Sequence, residues 1–112
     1  MGSEMCIRDR NKIFQTDVDP RHGNYDFLMA CDLDMSNSEV RDELMDWGEW
    51  YLEETGVNGF RLDAVKHISF LFFNGWLDHL RAKSGQDLFA VGEYWSPNIH
   101  DLHSYILSLI HI

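Results

Sequence analysis

Two short strand-like runs with one helix between them constrain this chain more than any other feature. The first, over about 57–63, reads VNGFRLD and alternates: Phe60 and Leu62 share one face, Arg61 and Asp63 the other. The second, 88–91, is almost wholly apolar, the pattern of a strand buried on both faces, and it ends at Gly92–Glu93. Between them a helix is expected over about 69–83, with Phe72, Phe73, Trp76, Leu77 and Leu80 on its buried side and Gly85 as its stop. Strand, helix and strand over about thirty residues is the length of one βαβ unit. Such a unit sets its strands parallel, often as neighbours, with both C-terminal ends on one face. Asp63 and Glu93 stand at those ends.

Upstream, Ser36 with Glu39 three residues on reads as a capping box. Val40, Leu44, Trp47 and Tyr51 then recur on one helical face, and Gly56 suits the C′ position. Glu39, Asp42 and Glu43 crowd the first turns, where the helix dipole favours negative charge. Residues 11–35 are irregular, with turn chemistry at Asp19–Pro20 and at His22, Gly23 and Asn24. The order loop, helix, strand, helix, strand is an α/β pattern with a parallel sheet. Two parallel strands cannot cover themselves, and a closed α/β barrel takes about 250 residues. The 112 residues therefore read as a piece of a larger domain.

The chain is 45% hydrophobic and 13% aromatic, rich enough for a core. A formal net charge of −10 argues against nucleic acid as a partner and fits a neutral substrate or bound cations. No apolar run approaches the roughly 20 residues of a membrane span. Cys6 and Cys31 have no zinc-type spacing and leave the compartment open. Residues 1–10 (MGSEMCIRDR) and 107–112 (LSLIHI) have the texture of translated adapter or vector sequence and are expected to be non-native flanks.

Carboxyl groups at the ends of neighbouring parallel strands can approach about 5–5.5 Å, the spacing at which a retaining glycosidase uses one acid as nucleophile and the other as general acid/base. Arg61, on the same face as Asp63, favours an ionised carboxylate there. Glu93 has no cation beside it in sequence and is followed by Tyr94 and Trp95, a setting that disfavours charge and suits an acid. The bland alternative is a pair of strand-end acids facing water.

GFRLDAVKH (59–67) resembles the strand-four signature of α-amylases of glycoside hydrolase family 13, and VGEYW (91–95) that family's strand-five acid/base segment. The similarity runs upstream through NYDFLMACDLDMSNSEV and WGEWYLEETGVNGF and covers about 18–106, with bacterial liquefying and cytoplasmic α-amylases the nearest in kind. The resemblance implies a (β/α)8 barrel, of which 37–106 would supply the strand-four to strand-five region and 11–36 the end of an inserted calcium-binding loop domain. It implies Asp63 as nucleophile, Glu93 as general acid/base and Arg61 as the arginine beside the nucleophile. Lys66, His67 and Trp95 would bind glucose units on the leaving-group side. The family's third essential acid and the two histidines that hold the reacting sugar have no counterpart here. The implied activity is retaining endo-hydrolysis of α-1,4-glucosidic bonds in starch or glycogen, by a cytoplasmic or secreted parent. The 112 residues alone are expected to be inactive. The alternatives are an α-glucan transglycosylase of the same clan and a non-catalytic calcium- or glucan-binding fragment.

Asp26, Asp32 and Asp34 are hard oxygen donors that suit calcium. The resemblance implies Asp26, Asp32 and the backbone carbonyl of His67 as ligands of a structural calcium, with Asp34 near further metal ions. An EF-hand starting at Asp32 fails, because its sixth position is Asn37 rather than glycine. Without the resemblance these aspartates read as a solvated acidic turn. Trp47, Trp50 and Trp76 are expected to pack helices, Met29 to lie near the cleft or fill space, and His100, His103 and His111 to bind no metal.

Overall fold

The computed structural model describes residues 17–27 and 32–109. Met29, both cysteines, His111 and the expected flank 1–10 lie outside them. A 3-10 turn (Pro20–His22) comes first, then α1 (Ser38–Thr55), β1 (Gly59–Leu62), a second 3-10 turn (Val65–His67), α2 (Phe70–Ser84), β2 (Phe89–Gly92) and α3 (Ile99–Leu109). Helix α3 runs without a break into the first residues of the expected C-terminal flank. No described helix is long and apolar enough to cross a membrane.

The two strands pair in parallel, with Gly59 opposite Phe89, Phe60 opposite Ala90, Arg61 opposite Val91 and Leu62 opposite Gly92. The even-numbered residues of β1 face the helices. Phe60 lies 5.0 Å from the Trp76 ring, edge-on, and 6.2 Å from Tyr51. The odd-numbered face is open: Phe89 is 69% and Val91 49% exposed. This corrects the expectation of a second strand buried on both faces. Its apolar composition was read properly, but among the described residues nothing covers that side.

Helix α1 starts one residue later than the capping-box reading placed it. Asn37, not Ser36, is the N-cap, and its side-chain oxygen accepts from the Glu39 N–H at 2.9 Å. The Ser36 hydroxyl instead donates to the Asp34 carboxylate, whose Oδ1 also accepts the Ser36 N–H. A hydroxyl engaged in that turn does not cap the next helix. Gly56 closes α1 and Gly85 closes α2, each left-handed (φ 64 and φ 67) with its N–H returned to the carbonyl four residues back.

The core lies between α1, α2 and the even face of the sheet. Phe72, Phe73, Trp76, Leu77 and Leu80 are all buried, as the helical period requires. Trp76 donates its indole N–H to the Leu44 carbonyl at 2.9 Å. A Cβ at Gly48 would stand 2.8 Å from the Trp76 ring, so the close approach of the two helices depends on that glycine. Trp47 stacks on Trp76 at 6.5 Å while remaining half exposed. Trp50 is 54% exposed and touches Tyr51 edge-on, so it is a rim residue and not the helix-packing group expected. On the outer side of the helix pair, Glu49 of α1 meets His79 (2.5 Å) and Lys83 (3.5 Å) of α2.

Candidate active site and acidic cluster

The strand ends deliver the two acids to one place. The Glu93 N–H donates to the Leu62 carbonyl (2.8 Å) and the Val65 N–H to the Glu93 carbonyl (3.1 Å), so the parallel ladder continues past both strands and brackets the acids. Ala64, directly after Asp63, is left-handed at φ 49, ψ 39. For a residue with a Cβ that conformation costs about 1–2 kcal/mol. It turns the chain from β1 into the 3-10 turn.

Arg61 holds both acids. Its Nη1 lies 2.9 Å from Asp63 Oδ1 and its Nη2 3.0 Å from Glu93 Oε1. The Trp95 indole N–H adds a second donor to the same Glu93 oxygen at 3.1 Å. Asp63 is held below the usual carboxylate range, first by a hydrogen bond with the Glu93 carboxyl and then by Arg61. Glu93 has no cation beside it in sequence, but it has one in space. Arg61 reaches it across the sheet, a pairing fixed by strand register and invisible to sequence spacing.

Of the other expected sugar-binding residues, Trp95 touches Glu93 and Lys66 reaches Trp95, while His67 turns towards Tyr25 and Phe27. Lys66 Nζ donates to the Trp95 carbonyl at 3.1 Å and lies 5.5 Å from the Tyr25 ring centroid. The His67 ring donates from Nδ1 to the Tyr25 carbonyl at 2.8 Å and meets Phe27 edge-on. Trp95 is 78% exposed beside Glu93. Asn24, assigned from sequence only to a turn, is fully buried. Its Nδ2 lies 3.3, 3.3 and 3.2 Å from the carbonyls of Val65, Lys66 and Ile68. It holds the turn that follows Asp63. An Asn beside a turn glycine carries no pattern that would announce this.

Behind that turn, Asp17, Asp26 and Asp32 each bring a carboxylate oxygen within 4.8 Å of the others. Burial pushes the Asp17 carboxyl up to about 6, and Asp32 is also raised, chiefly by burial. Asp26 Oδ1 is buried with no hydrogen-bond partner. Partners exist for the rest: Asp17 accepts the Met35 N–H at 2.6 Å and Asp32 the Phe27 N–H at 3.2 Å. Asp17 was missed from sequence, since nothing in its spacing from Asp26 and Asp32 points to a common centre. Asp34, expected near a metal, lies outside this cluster and serves the turn before α1.

Residues 22–108 match the alpha-amylase catalytic-domain family. The chain belongs to that family. It is 53% identical to an alpha-amylase of Geobacillus stearothermophilus over 90% of its own length and 18% of the relative's. It is 43% identical to the cytoplasmic alpha-amylase of Escherichia coli over 80% of its length and 18% of that protein. Among solved structures, an Anoxybacillus alpha-amylase superposes with a TM-score of 0.63 at 30% identity, covering 71% of this chain and 18% of that one. The chain thus spans less than a fifth of these alpha-amylases, and its helices and small parallel sheet are consistent with part of a barrel.

Proposed function

We propose that this chain is the strand-four to strand-five region of the (β/α)8 barrel of a retaining α-amylase, and that the whole protein hydrolyses internal α-1,4-glucosidic bonds of starch or glycogen. The observation that carries this reading is the single guanidinium of Arg61 gripping Asp63 and Glu93 at the ends of two neighbouring parallel strands, in a chain of this family. The open odd-numbered face, with Phe89 and Val91, is the surface that would line a closed barrel's interior.

In this mechanism Asp63, kept ionised by the Glu93 hydrogen bond and by Arg61, attacks the anomeric carbon. Glu93 gives its proton to the leaving glycosidic oxygen. Water then cleaves the glycosyl–Asp63 ester, with Glu93 taking the water's proton, so configuration is retained. Trp95 offers a ring face to a sugar on the leaving-group side.

Calcium fits the acidic cluster. Three carboxylates share a half-buried space, two are pushed towards the neutral form, and a buried Asp26 oxygen has no donor. Asp17, Asp26 and Asp32 would hold the ion, with the His67 carbonyl the further ligand that family resemblance implies. A bound divalent ion would supply there the positive charge that holds Asp17, Asp26 and Asp32 together. Asp34 is left out of this set.

The test is made in an intact protein carrying this segment. Glu93→Gln is expected to lower kcat by about 10²–10⁴-fold, Asp63→Asn to lower it further, and the first product detected by NMR to be the α-anomer. A β-anomeric first product or full activity in Asp63→Asn would overturn the assignment. Chain-length redistribution without new reducing ends would move the activity to a transglycosylase. The isolated 112 residues are expected to release no reducing sugar from starch.

A further inference from the structure

We infer that Gly23 and Asn24 form a two-residue staple joining the ends of both strands behind the two acids, with Asn24 and Tyr94 as positioning residues on its two arms. The parallel ladder stops where the acids begin. Its last bonds join Glu93 to Leu62 and to Val65. Beyond them the chain leaves β1 through the left-handed Ala64 and leaves β2 as irregular backbone. Arg61 ties the tips of the two carboxyls, from a side chain that is 60% exposed. Backbone past a strand end keeps one path only where further bonds tie it. A third segment, at Gly23 and Asn24, is bonded to the chain past both strands.

One arm is the buried Asn24 amide, already seen to hold the carbonyls of Val65, Lys66 and Ile68 in the turn after Asp63. The other arm is the Gly23 carbonyl, which accepts the Tyr94 hydroxyl. Tyr94 follows Glu93 directly, so by alternation its side chain leaves on the side away from the acid. There its ring packs on Tyr105 of α3 at 5.0 Å. Burial, then Asp101 and Tyr25, push the Tyr94 hydroxyl up to about 12, so it stays a donor. The junction requires a glycine. Gly23 is left-handed at φ 74, and a Cβ there would stand 2.7 Å from the Asp101 carbonyl oxygen and 2.9 Å from the Tyr94 hydroxyl. Consecutive residues thus hold the turn after Asp63 and the residue after Glu93, and the planar peptide between them has little play. The catalytic consequence rests on Asp63 being the nucleophile and Glu93 the general acid; the staple itself does not.

The staple is tested by hydrogen exchange in the full 112-residue chain. Tyr94→Phe keeps the ring and removes only the hydroxyl. It is expected to speed exchange of the Glu93 and Val65 amides about five-fold, the loss of one hydrogen bond. The Trp76 indole, bonded to Leu44 in the core, is expected to stay as it was. Indifferent Glu93 and Val65 amides, or an equal rise at Trp76, overturn the proposal. The catalytic arm compares kcat/KM on two substrates in an intact protein carrying the segment. One is a linear α-glucan, whose leaving oxygen needs a proton; the other is a dinitrophenyl maltotrioside, whose leaving group needs none. Tyr94→Phe is expected to lower kcat/KM about five-fold on the glucan, through kcat, and to leave the dinitrophenyl substrate nearly unchanged. Asn24→Ala, on the nucleophile's arm, is expected to lower both alike. If Asn24→Ala does not fold, Tyr94→Phe decides alone. Equal losses on both substrates in Tyr94→Phe, or a raised KM at unchanged kcat, overturn the positioning role. Failure of the general-acid reading shows separately, as a Glu93→Gln variant that loses no more on the glucan than on the dinitrophenyl substrate.

Discussion

The α1–α2 layer and residues 17–27 and 32–36 are held in place by different means. In the helix layer, Trp47, Tyr51, Phe60 and Trp76 touch ring to ring, and one glycine, Gly48, lets the helices close. In residues 17–27 and 32–36, beside the buried Val18 and Met35, the ties that reach the turn after Asp63 are chiefly polar. Asn24 grips three carbonyls more than forty residues away, the Tyr25 N–H donates to the Lys66 carbonyl while its carbonyl accepts from the His67 ring, and three aspartates converge. The difference teaches where the chain keeps its chemistry. Apolar packing supplies a platform indifferent to salt and cations, and the polar segment registers on that platform the turn that follows Asp63.

Four substitutions sharpen or break this division. The largest effect is expected from Trp76→Ala, which removes a buried ring and an indole hydrogen bond. A loss of about 3–5 kcal/mol should abolish the cooperative urea transition followed by circular dichroism. If the transition survives unchanged, the aromatic layer is not the platform. Asn24→Ala should cost about 2 kcal/mol and raise amide exchange around Val65 to Ile68 while leaving α1 protected. Exchange that rises equally throughout would mean the two regions are one cooperative unit.

Asp26→Asn should weaken calcium binding by about tenfold or more in calorimetry, with helix content unchanged. Equal affinity in the variant would remove Asp26 from the ligand set. The smallest effect belongs to Glu49→Gln, at the partly exposed ion cluster of Glu49, His79 and Lys83. The Glu49 carboxyl is held below its ordinary 4.5, first by the His79 hydrogen bond. A depressed folded value means its contribution is present above pH 4.5 and is lost as pH falls through the folded value. The stability gap between the two chains, measured by thermal melts, should therefore narrow on acidification. A gap that widens on acidification would reverse this sign.

Helices α1 and α2 and the parallel pair were legible because they obey periods, whereas α3 was not foreseen. Five apolar residues of α2 recur with the turn of a helix, and Arg61 and Asp63 alternate with Phe60 and Leu62. What was not legible came from contacts without a period. The Arg61–Glu93 pair follows from strand register, the Asn24 clamp from a buried amide meeting a distant turn, and Asp17 from convergence of loop segments. The open face of β2 was misread for a related reason. An apolar strand records the neighbours it needs, and the described residues supply them on one side.

The Arg61 fork has a consequence of its own. A guanidinium is a rigid plate with its nitrogens a constant distance apart. By gripping one carboxyl with each Nη, Arg61 acts as a gauge, copying its own width into the gap between Asp63 and Glu93. Lysine, with a single nitrogen on a flexible stem, keeps the charge at that position but carries no such measure. A lysine there would leave both acids in place and let the interval between them drift.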